Sequence, residues 1–348
     1  MMHKYTYNQV FIMGSKFLLS ETLEQICEVV NIAVKQIKEL CFEPQYKEFL
    51  IPKGNNKFRI IEAPYENLMQ VQRKFNRYLQ ASYYLKQTKA AYGFIISVKD
   101  KKNKKNILQN ATKHLGKKYM MKIDLKDFFH QIDKKRVYDL LRRPPFEFSN
   151  NASQNLSRLF TYKGRLPMGA PTSPVLSNFA CIDLDNELTN WAKQNRITYT
   201  RFADDMTFST NQKPFQNEQL QQVIEICTKH NYKLQTEKTK IFDTNDNKIV
   251  TGLILNETVD IEPRFYLELD KDLTRLRYLV ETTTILNDTN RSLTLKKFKQ
   301  EVQGKINFIG MIEGYHSSIY YHYTQKLKEA MTPQDETLFT RWTHFNYF

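Results

Sequence analysis

Cysteine is scarce in this chain and poorly placed for any joint task. Four residues, Cys27, Cys41, Cys181 and Cys227, are scattered over 348 positions without a CxxC pair. That excludes a disulfide framework and a zinc ribbon as the organising element and points to a reducing compartment. Long apolar runs are missing too. The run at 10–13 is cut by Lys16 before it reaches signal-peptide length, and no other stretch approaches the roughly 20 apolar residues of a membrane span. The expected location is the cytoplasm. Repeats, low-complexity blocks and Pro/Gly/Ser linkers are also absent, so the subdomains are expected to pack closely.

What is present is enough apolar material, 41% of residues, for a sizeable core in two or three subdomains. Acidic residues are in deficit: 37 Asp and Glu face 52 Lys and Arg, a formal net charge of +15. Such an excess suits a polyanion, nucleic acid or an acidic membrane surface, and equally a merely soluble basic protein.

Local patterns give the first elements. Thr22 and Gln25 have capping-box spacing, and Leu23, Ile26, Cys27, Val30, Val34 and Ile37 recur at helical intervals, which predicts one structural helix. Apolar runs at 49–52 and 58–61 flank Lys53-Gly54-Asn55-Asn56-Lys57, a β-hairpin with a basic tip. Residues 66–84 read as a helix, and 99–105 as a cationic loop suited to solvent or to phosphate. The alternation in Tyr119-Met120-Met121-Lys122-Ile123-Asp124-Leu125 then suits a strand that ends at an acid.

A second acidic feature lies in Tyr199-Thr200-Arg201-Phe202-Ala203-Asp204-Asp205-Met206-Thr207-Phe208-Ser209, where two β-prone runs flank paired acids. Alone, Asp-Asp is ordinary turn chemistry. Facing a third acid on another strand, it offers the oxygen-rich ligation that Mg²⁺ requires. Two such ions can activate an attacking hydroxyl and stabilise a leaving pyrophosphate. Between the two features, Leu166-Pro167-Met168-Gly169-Ala170-Pro171-Thr172-Ser173-Pro174 fits a bent loop feeding a helix. Gly169 would let a base pair or deoxyribose approach the backbone, although a Pro-rich structural turn explains the composition as well.

In this order, the acid-ended strand, the LPxGAPTSP loop, the xADD hairpin and the later Gln235-Thr236-Glu237-Lys238-Thr239 element resemble the palm of a reverse transcriptase over roughly 50–260. Asn110-Ala111-Thr112-Lys113-His114 and Val250-Thr251-Gly252-Leu253 match the NAxxH and VTG elements of the retron branch. The resemblance implies an α+β right-hand polymerase fold, with fingers to residue 118, a palm over 119–256 and a helical thumb over 257–348. It implies Asp124, Asp204 and Asp205 as catalytic metal ligands, with Leu125 beside them, for two Mg²⁺ ions that Mn²⁺ can replace. Lys238 would protonate the leaving pyrophosphate, Arg59 would grip the triphosphate, Phe129 would be the steric gate, and Met168 and Gly169 would line the nucleotide site. Asn110, His114, Val250, Thr251 and Gly252 would contact RNA. Met168 stands where the family usually has Gln, Phe202 where Tyr is common, and Gln235 where Asn is usual.

By the same resemblance the partners would be deoxynucleoside triphosphates, a cognate non-coding RNA primed from a ribose 2′-hydroxyl, its RNA-DNA product, a separate effector protein and a host RNase H, with no membrane. Antiviral defence is the implied setting. Past the palm, apolar stripes at Leu273, Leu276, Leu279 and Val280, and at Leu295, Phe298, Val302, Ile306 and Ile309, predict thumb helices. Lys296, Lys297, Lys299 and Lys305 lie opposite the second stripe. The aromatic tail, Phe339, Trp342, Phe345, Tyr347 and Phe348, suits either thumb packing or RNA stacking. An RNA-dependent RNA polymerase, a reverse transcriptase of another defence or intron-derived class, and a non-catalytic RNA-binding scaffold remain as alternatives. Phe129 speaks against the first, the NATKH and VTGL elements against the second, and the intact acidic triad against the third.

Overall fold

The computed structural model describes residues 5–54, 57–100, 105–286 and 289–332, and the chain divides into two compact units, 1–251 and 252–348. The first begins with α1 (Tyr7–Leu18), α2 (Leu23–Val30) and α3 (Val34–Phe42). Thr6 and Thr22 each close a capping box with a Gln, as the sequence predicts for Thr22. The single helix expected across 23–37 is two. Asn31 adopts the left-handed conformation (φ 56°), its amide returning to the last turn of α2. Asn tolerates that conformation better than other non-glycine residues, so the apolar spacing continues while the helix stops.

Next come the hairpin β1 (Tyr46–Gly54) and β2 (Lys57–Pro64), paired Tyr46↔Pro64 through Leu50↔Ile60 to Pro52↔Phe58, and then α4 (Glu66–Lys86). The outer hairpin leaves Leu50, Phe58 and Ile60 more than half exposed. Its base is fastened by stacking of Tyr46 on Tyr162 (4.5 Å between ring centres) and by the Lys163–Glu48 ion pair at 2.5 Å.

The centre of this unit is an antiparallel sheet ordered β4-β5-β3-β6, built from β3 (Tyr119–Asp124), β4 (Thr198–Phe202), β5 (Asp205–Thr210) and β6 (Lys240–Phe242). Met120, Met121, Ile123, Met206 and Phe208 are buried, and Phe208 lies between Tyr199, stacked at 4.8 Å, and Trp191. Burying side chains of this size contributes about 1.5–3 kcal/mol each relative to exposure. Around the sheet are α5 (Ile107–Thr112), α6 (Lys134–Arg142), α7 (Asn150–Phe160), α8 (Ser173–Ala180), α9 (Ile182–Gln194) and α10 (Asn217–Lys229). The unit ends with β7 (Lys248–Val250). All four cysteines are free and buried in it. Burial pushes the Cys27 thiol up to about 11, Cys41 and Cys227 to about 12, and Cys181 upward as well.

The second unit holds the hairpin β8 (Leu253–Leu255) and β9 (Val259–Ile261), then α11 (Pro263–Leu286), α12 (Thr289–Glu313) and α13 (Ser318–Met331). The expected stripes are its core: Leu273, Leu276, Val280, Val302, Ile306 and Ile309 are buried, while Leu279, Leu295 and Phe298 are half-buried. Lys296, Lys297 and Lys299 are exposed. Lys305 departs from that face, because its ammonium is 2.5 Å from Asp272 of α11. The aromatic tail lies outside the described residues. Among the described residues no helix is long and apolar enough to cross a membrane.

Candidate active site

Three carboxylates meet where strands end. The register of β3 on β5 sets Asp124 directly opposite Asp205. The β4–β5 turn holds Ala203 at φ 58°, followed by Asp204. The Leu125 amide donates to the Asp204 carbonyl at 3.0 Å, fastening the hairpin tip to the neighbouring strand. Backbone, not side-chain reach, therefore brings the distant acids together. Burial pushes the Asp204 carboxyl above its usual range, Asp124 and Asp205 add to that shift, and Arg59 opposes it. Burial raises Asp205 too, against the pull of the Lys122 ammonium at 2.9 Å.

Asp205 Oδ1 has no hydrogen-bond partner. Neighbouring carboxylates, half-buried at Asp124 and Asp205 and exposed at Asp204, with an unpartnered Asp205 oxygen, fit a hard divalent cation. Among the described residues no group of three or more His, Cys, Asp or Glu side chains is assembled to hold a metal by itself. Substrate phosphates and water commonly complete the coordination of Mg²⁺. Leu125 is buried and apolar, so any metal contact it makes goes through its carbonyl.

The layer beneath the turn has no local signal in the sequence beyond a lone Arg in a β-prone run. Arg201 and Asp185 are both fully buried, with Arg201 Nε and Nη2 donating to the carboxylate at 2.8 and 2.7 Å. Arg201 Nη1 donates to the Ala203 carbonyl at 2.9 Å and to Asn178 Oδ1 at 3.2 Å. Thr88 and Tyr199 hydroxyls donate to the same carboxylate. The guanidinium thereby pins the peptide preceding Asp204. Gly93 packs so close that a Cβ there would sit 2.8 Å from the Ala203 nitrogen.

His114 supports the same hairpin. Its ring nitrogens engage Ser209 Oγ on β5 and Thr200 Oγ1 on β4, each at 2.7 Å, and burial drives its pKa down to about 3. Asn110 and His114 are 1% and 0% exposed and Val250 is fully buried, which corrects the expectation that these side chains contact RNA. Theirs is an internal role. Thr251 (φ 50°) is half-exposed and its hydroxyl donates to the Ile107 carbonyl at 3.4 Å; Gly252 (φ 80°) is exposed. Of the cationic loop, Lys101, Lys102 and Lys104 lie outside the described residues. Lys105 is a structural anchor: its ammonium donates to the Thr88 and Lys89 carbonyls over the Tyr92 ring, and burial draws its pKa down to about 8.

The expected nucleotide-binding residues cluster on one side. Phe128 points into the core, whereas Phe129 is half-exposed, 6.2 Å between ring centres from Phe94, which in turn is 6.5 Å from Phe202. Arg59 is exposed on β2. Gly169 has a packing role as well. At φ 142°, a Cβ would lie 2.7 Å from the Glu62 carbonyl, so the missing side chain makes room for β2, and the residue is exposed beside it. Met168 is half-exposed, and its carbonyl accepts from the Glu62 amide at 2.8 Å. Lys238 is exposed, its ammonium donating to Gln235 Oε1 at 2.7 Å, while the Gln235 amide donates to the Asp124 carbonyl at 2.8 Å. An open cleft of about 440 Å³ joins Asp124 and Lys122 to Lys238 and Lys240.

Comparison with known proteins gives a consistent result. Residues 51–312 match the family model described as reverse transcriptase (RNA-dependent DNA polymerase). The chain is similar to the Retron Ec83 reverse transcriptase of Escherichia coli, 31% identical over 59% of this chain and 63% of that protein. It is 29% identical to the Retron Mx162 reverse transcriptase of Myxococcus xanthus over 68% of this chain and 53% of that one. With the Retron Ec86 reverse transcriptase of Escherichia coli it shares 32% identity over 47% and 51% of the two chains. The matched region thus spans between half and two thirds of these curated relatives.

Proposed function

The chain belongs to the reverse transcriptase family, with its α+β right-hand polymerase fold, and from that premise we propose that it is the RNA-directed DNA polymerase of a retron. It copies part of a cognate structured non-coding RNA into DNA, starting from a ribose 2′-hydroxyl of that RNA, so that the product is branched RNA-DNA. Fingers to residue 118, a palm over 119–256 and a thumb over 257–348 divide the work. The observation that carries this reading is the in-register opposition of Asp124 and Asp205, with Asp204 exposed in the adjoining turn. Family members use divalent metal ions, and we assign two Mg²⁺ here, with Mn²⁺ as a substitute.

When bound, these ions supply activation of the attacking hydroxyl and charge stabilisation on the leaving pyrophosphate. The chain's own residues do the rest. Asp124, Asp204 and Asp205, with the Leu125 carbonyl, offer oxygens to the ions, and Lys122 orients Asp205 and opposes the rise that burial imposes on it. Arg59 supplies a planar fork of donors to the triphosphate. Phe129 occupies the space that a 2′-hydroxyl of the incoming sugar would need, and Lys238 gives a proton to the departing pyrophosphate. Thr251 and Gly252 lie at a surface turn that suits RNA contact. The product serves antiviral defence together with a separate effector protein, and a host RNase H removes template.

Replacement Asp204→Asn tests the proposal. Deoxynucleotide addition to a primer on an RNA template should fall by at least about a thousandfold, of the order seen when charge stabilisation of a transition state is removed. RNA binding, measured by filter retention, should stay within about twofold because the cationic contacts are untouched. Undiminished synthesis by this variant would remove the triad from the mechanism.

A further inference from the structure

Glu62 sits where the three segments bearing the nucleotide-binding residues come together. It is 2% exposed, although it belongs to a strand whose outer half faces solvent. Arg165 grips it in a fork: Nη1 lies 3.0 and 3.1 Å from the two carboxylate oxygens, and Nη2 lies 3.0 Å from Oε1. The Met168 amide donates to Oε2 at 3.3 Å while the Glu62 amide donates to the Met168 carbonyl. His130 Nε2 stands 3.5 Å from Oε2 without a hydrogen bond to it, and His130 directly follows Phe129 in the 3-10 turn Phe128–Gln131. The segment carrying Arg165 is tied to the chain just past that turn, with the Leu166 amide donating to the Ile132 carbonyl at 3.0 Å and the Lys134 amide to the Gly164 carbonyl at 2.8 Å.

A hydrocarbon side chain would fill the same volume without desolvating a charge. A buried ion pair is a poor source of stability, and its best-attested use is to specify one arrangement among competing ones. Here the arrangement is that of β2, the gate turn and the 166–169 loop. We propose that Glu62 is a positioning residue for the nucleotide site: by holding Arg165 and Met168, whose segment is tied by backbone hydrogen bonds to the chain just past Phe129, it sets the spacing between Arg59, Phe129 and the loop, and so governs deoxynucleotide affinity and discrimination against ribonucleotides. This rests on the polymerase reading. Glu62 touches no substrate in this role. It acts through neighbours on three segments that sequence separates widely.

Three variants test it. Glu62→Gln keeps shape and removes charge, Arg165→Lys keeps charge and removes the fork, and Lys163→Ala breaks the exposed pair at the same hairpin base. For Glu62→Gln, KM for deoxynucleotides should rise about tenfold with kcat within about threefold, and preference for deoxy- over ribonucleotides should fall about tenfold. Arg165→Lys should move both quantities the same way by a smaller factor, and Lys163→Ala should move neither. Independently of activity, hydrogen exchange of Glu62→Gln should speed up together at 59–62, 128–132 and 166–168. Exchange rising on β2 alone, a fall in kcat without change in KM or selectivity, or equal behaviour of Glu62→Gln and Lys163→Ala would overturn the assignment. A wild-type protein that adds no deoxynucleotides defeats the polymerase reading instead, and the exchange pattern then decides on Glu62 by itself.

Discussion

Two antiparallel hairpins face the same site, and they are built on opposite plans. The β4–β5 hairpin is rooted in a sheet, its turn pinned by a fully buried Arg201–Asp185 pair and its strands stitched by a buried imidazole. Among the described residues the β1–β2 hairpin has no third strand; its base is anchored by Glu62, Glu48 and Tyr46, and its outer half leaves large apolar side chains in solvent. An isolated two-stranded hairpin is marginal in water, so the outer part gains order mainly from what it touches. On the proposed function the contrast separates two demands. Acids must keep their spacing through every cycle, whereas an element that meets each incoming nucleotide must yield and return.

The sharpest way to break the contrast is Asp185→Ala, which leaves Arg201 buried and unpaired. The first unit should lose about 3–5 kcal/mol in urea unfolding followed by circular dichroism, and polymerisation should vanish with the pinned Ala203 carbonyl. A loss under about 1 kcal/mol would mean that the pair is dispensable.

Acid titrates the rooted hairpin next. The folded-state pKa of His114, about 3, lies below the ordinary histidine value of 6.5, so the unfolded chain takes up a proton first. The associated stability is complete above pH 6.5 and is lost as pH falls toward 3. Between pH 6.5 and 5 the loss should approach about 2 kcal/mol, at 1.36 kcal/mol per pH unit. Denaturant midpoints for wild type and His114→Gln across this range should converge at low pH.

Phe129→Ala probes the boundary between the hairpins. Ribonucleotide incorporation relative to deoxynucleotide should rise at least about tenfold, or about 1.4 kcal/mol of differential transition-state binding, even if packing losses slow both. An unchanged ratio of specificity constants would make Phe129 a packing residue. Least of all should follow from Phe58→Ser on the outer β1–β2 hairpin, where stability should stay within about 0.5 kcal/mol because the ring is already exposed. A larger destabilisation would contradict the yielding plan.

Much of this could be read from sequence, because the informative patterns were local. Asp124 at the end of an alternating run, Asp204 and Asp205 between two β-prone runs, and the Thr22–Gln25 box each announce their own geometry within a few residues. What escaped was long-range pairing. Nothing near Arg201 announces Asp185, and nothing near Glu62 announces Arg165, since a charged residue in a strand reads as exposed until its partner is placed. Gly169 was read as making room for a ligand, and its close approach to β2 was not foreseen. Asn110 and His114 were read as RNA contacts because polar residues in a motif suggest recognition, yet both are buried, and the His114 ring is engaged inside the protein. Asn31 ended a helix that its apolar spacing would have continued.

The buried cysteines have a consequence for chemical reactivity. A thiol reacts with alkylating reagents as the thiolate, and burial keeps Cys27, Cys41, Cys181 and Cys227 protonated and covered. In the folded state all four should be silent toward iodoacetamide. A single cysteine introduced on the exposed outer strand of the β1–β2 hairpin would therefore label cleanly in an otherwise unmodified chain. Conversely, each native thiol becomes a clock for its own surroundings: Cys27 and Cys41 report the opening of the N-terminal helices, and Cys181 and Cys227 that of the helices packed behind the catalytic sheet.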